Sequence, residues 1–280
     1  MKRIIACIDA SPCVHATADA AAWIAQKTGR QLILLQVLDY RFASEHLSAF
    51  GGIVGFESNA MLLQELEELD KKQRQLAQQY SYDLLQHISE YIAEKFGIQV
   101  VTIQHQGEFL EQTLKDLQAD DIAVIGKVGE HAAESHKPCG SNVERLIWAA
   151  KTTVLVVGES FSPAKHFLFA YEHSEICQAI LKRVGQSDLL KYLTCHLVYV
   201  GTQNGILDKP MDYLKFVGLE ARAEYLYGDV AESLIAYQKQ HDIGLIVMGA
   251  FGRNKLYQFF LGSTTLKILK ASDVPLLVVR

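Results

Sequence analysis

Apolar residues in this chain come in short runs, separated by longer amphipathic stretches, and the two alternate from end to end. Arg3–Ile8, Gln31–Val37, Ile98–Ile103, Ile122–Ile125 and Thr153–Val157 have the length and branched side chains of buried strands. Between them, His15–Gln26 reads as an Ala-rich helix with Trp23 and Ile24 on its apolar side, closed by Gly29. A long helix is expected over about Ser58–Phe96, with Leu62, Leu66, Leu69, Leu76 and Leu84 as its apolar stripe. Its Glu65, Glu67, Glu68, Asp70, Lys71, Lys72 and Arg74 read as a solvated face. Asp39–Gly55, with Gly51-Gly52, is a loop; Gly107-Glu108 opens a helix through Leu117, and Asn142–Ala150 is another.

The same order then recurs. Phe167–Tyr171, Thr194–Val200, Leu219–Leu226, Leu245–Met248 and Pro275–Val279 read as strands. Ser174–Val184, Asp208–Phe216, Gly228-Asp229 through His241, and Thr264–Lys270 read as helices. Asp9 aligns with Glu172 and Val37 with Val200, each shifted by 163, whereas Gly107 aligns with Gly228 at 121 and Gly126 with Gly249 at 123. The change of offset marks a deletion of roughly forty residues between the second and third strands of the second copy. Two domains follow, 1–160 and 161–280, each with parallel strands covered on both faces by helices.

The second copy carries a glycine loop after a strand: Gly249-Ala250-Phe251-Gly252-Arg253, then Gly262-Ser263-Thr264 at the start of a helix. Small residues and hydroxyls at a helix N-terminus suit an anion such as phosphate. The first copy has Gly126-Lys127-Val128-Gly129, then Gly140-Ser141, with ten residues between Gly129 and Gly140 where the second copy has nine. That loop also holds Glu130 and Glu134, which repel phosphate, and Lys127, His136 and Lys137, which partly offset them. There is no GK[ST], so neither loop is a Walker P-loop.

Composition narrows the classes. With 49% apolar residues the chain is not disordered, and a net charge of −5 gives no support for nucleic-acid binding. No apolar run reaches membrane-spanning length, so an integral membrane protein is not expected. The apolar part of Met1–Asp9 is too short for an export leader. Five cysteines without a CxxC point to a reducing cytoplasm, with Cys7 and Cys195 as core thiols. A zinc site from Cys13, His15, Cys139 and His173 lacks a close-set ligand pair, and no metal site is expected. The ten histidines show no HxxxH or HExxH spacing and read mostly as surface residues.

These residues together resemble the universal stress protein family. The resemblance rests on Asp9-Ala10-Ser11, Leu34-Leu35-Gln36-Val37, the Gly-Asp/Glu helix openings, the G-x2-G-x9-G-S loop and the closing Val274-Pro275-Leu276-Leu277-Val278-Val279, and it covers essentially the whole chain. It implies two Rossmann-like (adenine nucleotide alpha hydrolase-like), doubly wound parallel-sheet α/β domains in tandem, related by a pseudo-twofold. By the same resemblance Thr153–Val157 and Leu276–Val279 should join the sheets as an intramolecular pseudo-dimer, and a further homodimer stays open.

The resemblance implies a stress-response sensor or regulator that binds ATP or ADP, with Mg as an accompanying ion. Carried over, the first-ranked site is Glu172, Val200, Gly249, Gly252, Arg253, Gly262, Ser263 and Thr264; a weaker one is Asp9, Val37, Gly126, Gly129, Gly140 and Ser141. Glu172 departs from the family's Asp by one methylene, and with His173 and Ser174 it is expected to narrow the crevice. Two alternatives remain. One is a nucleotide-free scaffold for a protein or lipid-like ligand; the other is a slow ATPase, with no candidate base beyond Glu172 or Asp9. No catalytic residue is assigned.

Overall fold

A computed structural model describes residues 2–39, 56–130, 139–250 and 263–280. Its strands are β1 (Arg3–Cys7), β2 (Gln31–Leu38), β3 (Val101–Gln106), β4 (Ile122–Gly126), β5 (Thr153–Val157), β6 (His166–Ala170), β7 (Thr194–Val200), β8 (Ala221–Leu226), β9 (Leu245–Gly249) and β10 (Leu276–Val279). The helices are α1 (Val14–Thr28), α2 (Phe56–Phe96), α3 (Phe109–Asp116), α4 (Ser141–Ala149), α5 (Glu175–Gly185), α6 (Asp208–Phe216), α7 (Val230–Gln240) and α8 (Ser263–Ala271). A short 3-10 turn, Leu190–Tyr192, precedes β7 and has no counterpart in the sequence reading.

All ten strands form one sheet in the order β3-β2-β1-β4-β5-β10-β9-β6-β7-β8. Every pairing is parallel except β5 with β10, which is antiparallel with Leu277 opposite Leu155. Read outward from that joint, the two halves have the same order. The correspondence extends to single bonds: Ile8 N–H donates to Leu35 O and, 163 positions on, Tyr171 N–H donates to Val198 O, both at 2.8 Å. The joint covers two edge strands that are apolar throughout their buried lengths.

The repeat is also visible where helices start. Gly107 (φ 128°) and Gly228 (φ 106°) turn the chain in a region that side chains disfavour. The next residue in each case is an acidic N-cap. Glu108 accepts from the N–H of Glu111, and Asp229 from those of Ala231 and Glu232.

Two expectations are corrected. The strand expected at Ile98–Ile103 is paired over Val101–Gln106. Ile98 and Val100 do pack on the core, but the ladder with β2 begins at Val101, and pairing rather than apolarity sets the strand. The apolar stripe of the long helix is also shifted. Among its described side chains the buried ones are Ser81, Leu85, Ile88 and Ile92, with the expected Leu84 half-buried against the core, whereas Leu69 and Leu76 are exposed, at 57% and 71%; Leu62 and Leu66 lie outside the described side chains. A helix of 41 residues is about 60 Å long, well beyond a five- to eight-residue strand, and among its described side chains it is the C-terminal ones that rest on the sheet. The histidines were expected to lie mostly at the surface; His196, within the expected strand Thr194–Val200, is fully buried. Of the expected loop Asp39–Gly55, residues 40–55 lie outside the described residues.

Candidate functional site

In the first half the chain runs β1 to β3 on one side of β1, then returns to place β4 on the other. The carboxyl ends of β1 and β4 therefore flank a switch in strand order, where ligands bind in open α/β sheets. Asp9 follows β1 and takes the N–H of Ser11 on Oδ1 at 3.2 Å, a local turn that leads into α1. β4 ends at Gly126, which lies flush against the start of α1: a Cβ there would sit 2.7 Å from Cys13 Cβ. A Cβ on Gly129 would lie 3.6 Å from Asp9 Oδ2, and one on Gly140 would lie 3.5 Å from Gly129 N. Asp9, Gly126, Gly129 and Gly140 are thus gathered, with Ser141 exposed at the start of α4 and Val37 half-buried near the end of β2.

This crevice is largely satisfied by its own chain. Gly140 N–H donates to Lys127 O at 2.9 Å. Burial pushes the Asp9 carboxyl above its ordinary value, and hydrogen bonds from Ser11 and from the Glu130 backbone oppose that push. Burial and the Asp9 charge together push the neighbouring Cys7 thiol up to about 12. The side chain of Lys127 does not serve an anion in the loop. Its Nζ donates to Lys270 O and Ser272 O at the C-terminal end of α8, each at 3.0 Å. Glu134, His136 and Lys137 lie outside the described residues.

In the second half β6 and β9 flank the equivalent switch. Glu172 follows β6 and is half-buried. It turns toward its own helix: Ser174 Oγ donates to Glu172 Oε1 at 3.1 Å and accepts from Cys177 N–H at 3.1 Å as the N-cap of α5. Val200 is half-buried at the end of β7. Gly249 ends β9, and Thr265 Oγ1 donates to its carbonyl at 3.4 Å, which seats the first turn of α8 on that strand. Ser263 is exposed and Thr264 half-buried at the start of α8. Gly252, Arg253 and Gly262 lie outside the described residues.

The partners that sequence reasoning missed are tertiary. Cys13 beneath Gly126 is visible only once β1 and β4 are known to be neighbours, and Lys127 to α8 only once the halves are joined. All five cysteines are free and buried. Among the described residues no three His, Cys, Asp or Glu side chains are gathered to hold a metal ion, and no helix is long and apolar enough to cross a membrane.

A model of the universal stress protein family matches residues 1–158 and 207–280. The stretch between, 159–206, contains Glu172 and Val200. Universal stress protein Slr1230 from Synechocystis sp. is 32% identical over 288 aligned residues, covering all of both chains. Among solved structures, a universal stress protein from Archaeoglobus fulgidus matches with a TM-score of 0.68 at 16% identity, covering 99% of this chain and 96% of that one. A universal stress protein from Pseudomonas aeruginosa matches at 0.59 and 15% identity, covering 100% and 93%. At these identities the structural matches bear on the fold.

Proposed function

Because the chain belongs to the universal stress protein family, we propose that it binds an adenine nucleotide, ATP or ADP, in its second half, as a sensor or regulator in the stress response. The observation that carries the choice of half is the state of the first crevice. There Asp9 takes N–H groups of its own loop, Gly140 N–H is spent on Lys127 O, and the Lys127 ammonium is committed to α8. In the second half, Ser263 is exposed and Thr264 half-buried at the start of a helix seated on Gly249. A helix N-terminus with hydroxyls suits phosphate. Gly252, Arg253 and Gly262 would complete that loop, and Glu172 and Val200 would face the nucleoside. A Mg ion would travel on the phosphates.

Residues 1–160 and 161–280 act as domains of one pseudo-dimer, and the protein works in the cytoplasm, a location that its free thiols support. Binding rather than turnover is proposed, with Asp9 and Glu172 both engaged by their own turns.

A second reading, a nucleotide-free scaffold for a protein or lipid-like ligand, is favoured by one observation: the family match lapses over 159–206, the stretch that holds Glu172 and Val200. Native mass spectrometry of the protein as purified separates the two. A retained mass of ATP or ADP supports the first, and a lipid-like mass supports the second and contradicts the first.

A further inference from the structure

His196 lies in the middle of β7 with no solvent exposure, facing α7. Its Nδ1 is 3.1 Å from Arg222 Nη2 on β8 and 3.1 Å from Tyr237 Oη on α7. A guanidinium only donates, so Nδ1 is an acceptor and the ring hydrogen sits on Nε2. The ring is therefore neutral and locked in one tautomer by a permanent cation.

The surroundings hold that state in place. His166 on β6 lies 5.5 Å away, ring to ring, and His241, which caps the C-terminus of α7, lies 6.1 Å away. His241 also stacks on Tyr237 at 4.0 Å. Glu224, two residues beyond Arg222 on β8, is the acidic group whose charge reaches Tyr237. Among the described residues, His196 Nε2 and His166 Nδ1 are buried with no hydrogen-bond partner. A metal ion on Nε2 does not fit, because it would require a hydrogen on Nδ1, where Arg222 already donates.

We propose that His196 is an acid-responsive latch between β7 and α7: neutral it fastens the helix to the sheet, and protonation forces the two apart. A proton on Nδ1 removes the acceptor shared by Arg222 and Tyr237 and sets an imidazolium against the guanidinium in a site without solvent. Burial first, and then the Arg222 charge, draw the His196 pKa down to about 4, against an ordinary value of 6.5. The unfolded chain therefore binds a proton that the folded one refuses, and stability is lost as pH falls from about 6.5 toward 4. At its other end α7 is tied to α8 through Asp229 and Lys267, at 3.3 Å, so its release would bear on the helix that begins at Ser263. The latch itself does not depend on nucleotide binding.

The test is urea unfolding of the full chain, wild type and His196→Asn, at pH 7, 6, 5 and 4.5, beside nitrogen-15 NMR of the histidine rings. The Asn Oδ1 stands where His Nδ1 stood, so it still accepts from Arg222 and Tyr237 but cannot charge. The wild-type midpoint should fall with acid more steeply than that of H196N, and the His196 signals should be those of the neutral Nε2–H form at pH 5. Equal pH dependence in the two proteins overturns the proposal. So does a His196 ring that titrates near 6.5 in the folded wild type, a readout that stands even where H196N does not fold.

Discussion

Lys127 reaches across the joint between the halves, its Nζ 3.0 Å from the backbone oxygen of Lys270. The carbonyls at a helix C-terminus lack intrahelical partners and carry partial negative charge, so a cation there is stabilising. Arg280 makes the reciprocal contact, donating from Nη2 to Ile147 O at 3.0 Å and to Trp148 O at the end of α4. Each helix that begins beside one half's glycine loop is thus capped by a cation from the other half. Lys127→Ala is expected to lower stability by about 0.5–1.5 kcal/mol, with Lys127→Met losing nearly as much because the stem alone cannot donate. Urea unfolding measures it; an M variant as stable as wild type would show that the contact contributes packing only.

The meeting of Gly126 and Cys13 gives a sharper packing test. Gly126→Ala places a Cβ 2.7 Å from Cys13 Cβ, an overpacking expected to cost about 1–3 kcal/mol. Because the clash is with Cβ itself, adding Cys13→Ala should not relieve it, whereas adding Cys13→Gly should. A double-mutant cycle reads the difference as a coupling present in one pair and absent in the other.

On the long helix, burial changes sharply along its length. Ile88 is fully buried and Leu76 is 71% exposed. Ile88→Ala is expected to cost about 2–5 kcal/mol, and Leu76→Gln less than about 0.5 kcal/mol. Equal losses in thermal or urea unfolding would mean that the exposed face has a partner within the chain.

The succession of strands and helices was legible because the same elements recur in the same order, with Asp9 matching Glu172, Gly107 matching Gly228 and Gly126 matching Gly249. What escaped was what depends on neighbours brought together by the fold. The expected leucine stripe failed at Leu69 and Leu76 because periodicity reports a helix's face and not where the sheet beneath it ends. The role of His196 was not legible, because nothing local signals that Arg222 and Tyr237 will converge on its Nδ1. The proximity of Asp9, Gly129 and Gly140 follows from the order of the elements, but the commitment of Lys127 to α8 was not legible, since its partners are backbone oxygens 143 and 145 positions away.

The buried thiols contribute to a loss of stability in alkali. Burial pushes Cys7 and Cys177 up to about 12 and Cys139 up to about 11, from an ordinary 9.0. A folded value above the unfolded one means that stability is full below about 9 and lost as pH rises through the folded values. Urea midpoints between pH 8 and 10.5 should fall less in Cys177→Ala than in wild type. Native protein should resist thiol-directed reagents that label the unfolded chain fully; rapid native labelling would contradict the burial.

The most direct measurement is calorimetric titration of ATP, with Mg, into wild type, Gly252→Val and Gly129→Val. One binding event is expected in wild type, retained in G129V and abolished in G252V. No heat from wild type, or equal heats from wild type and G252V, would contradict it.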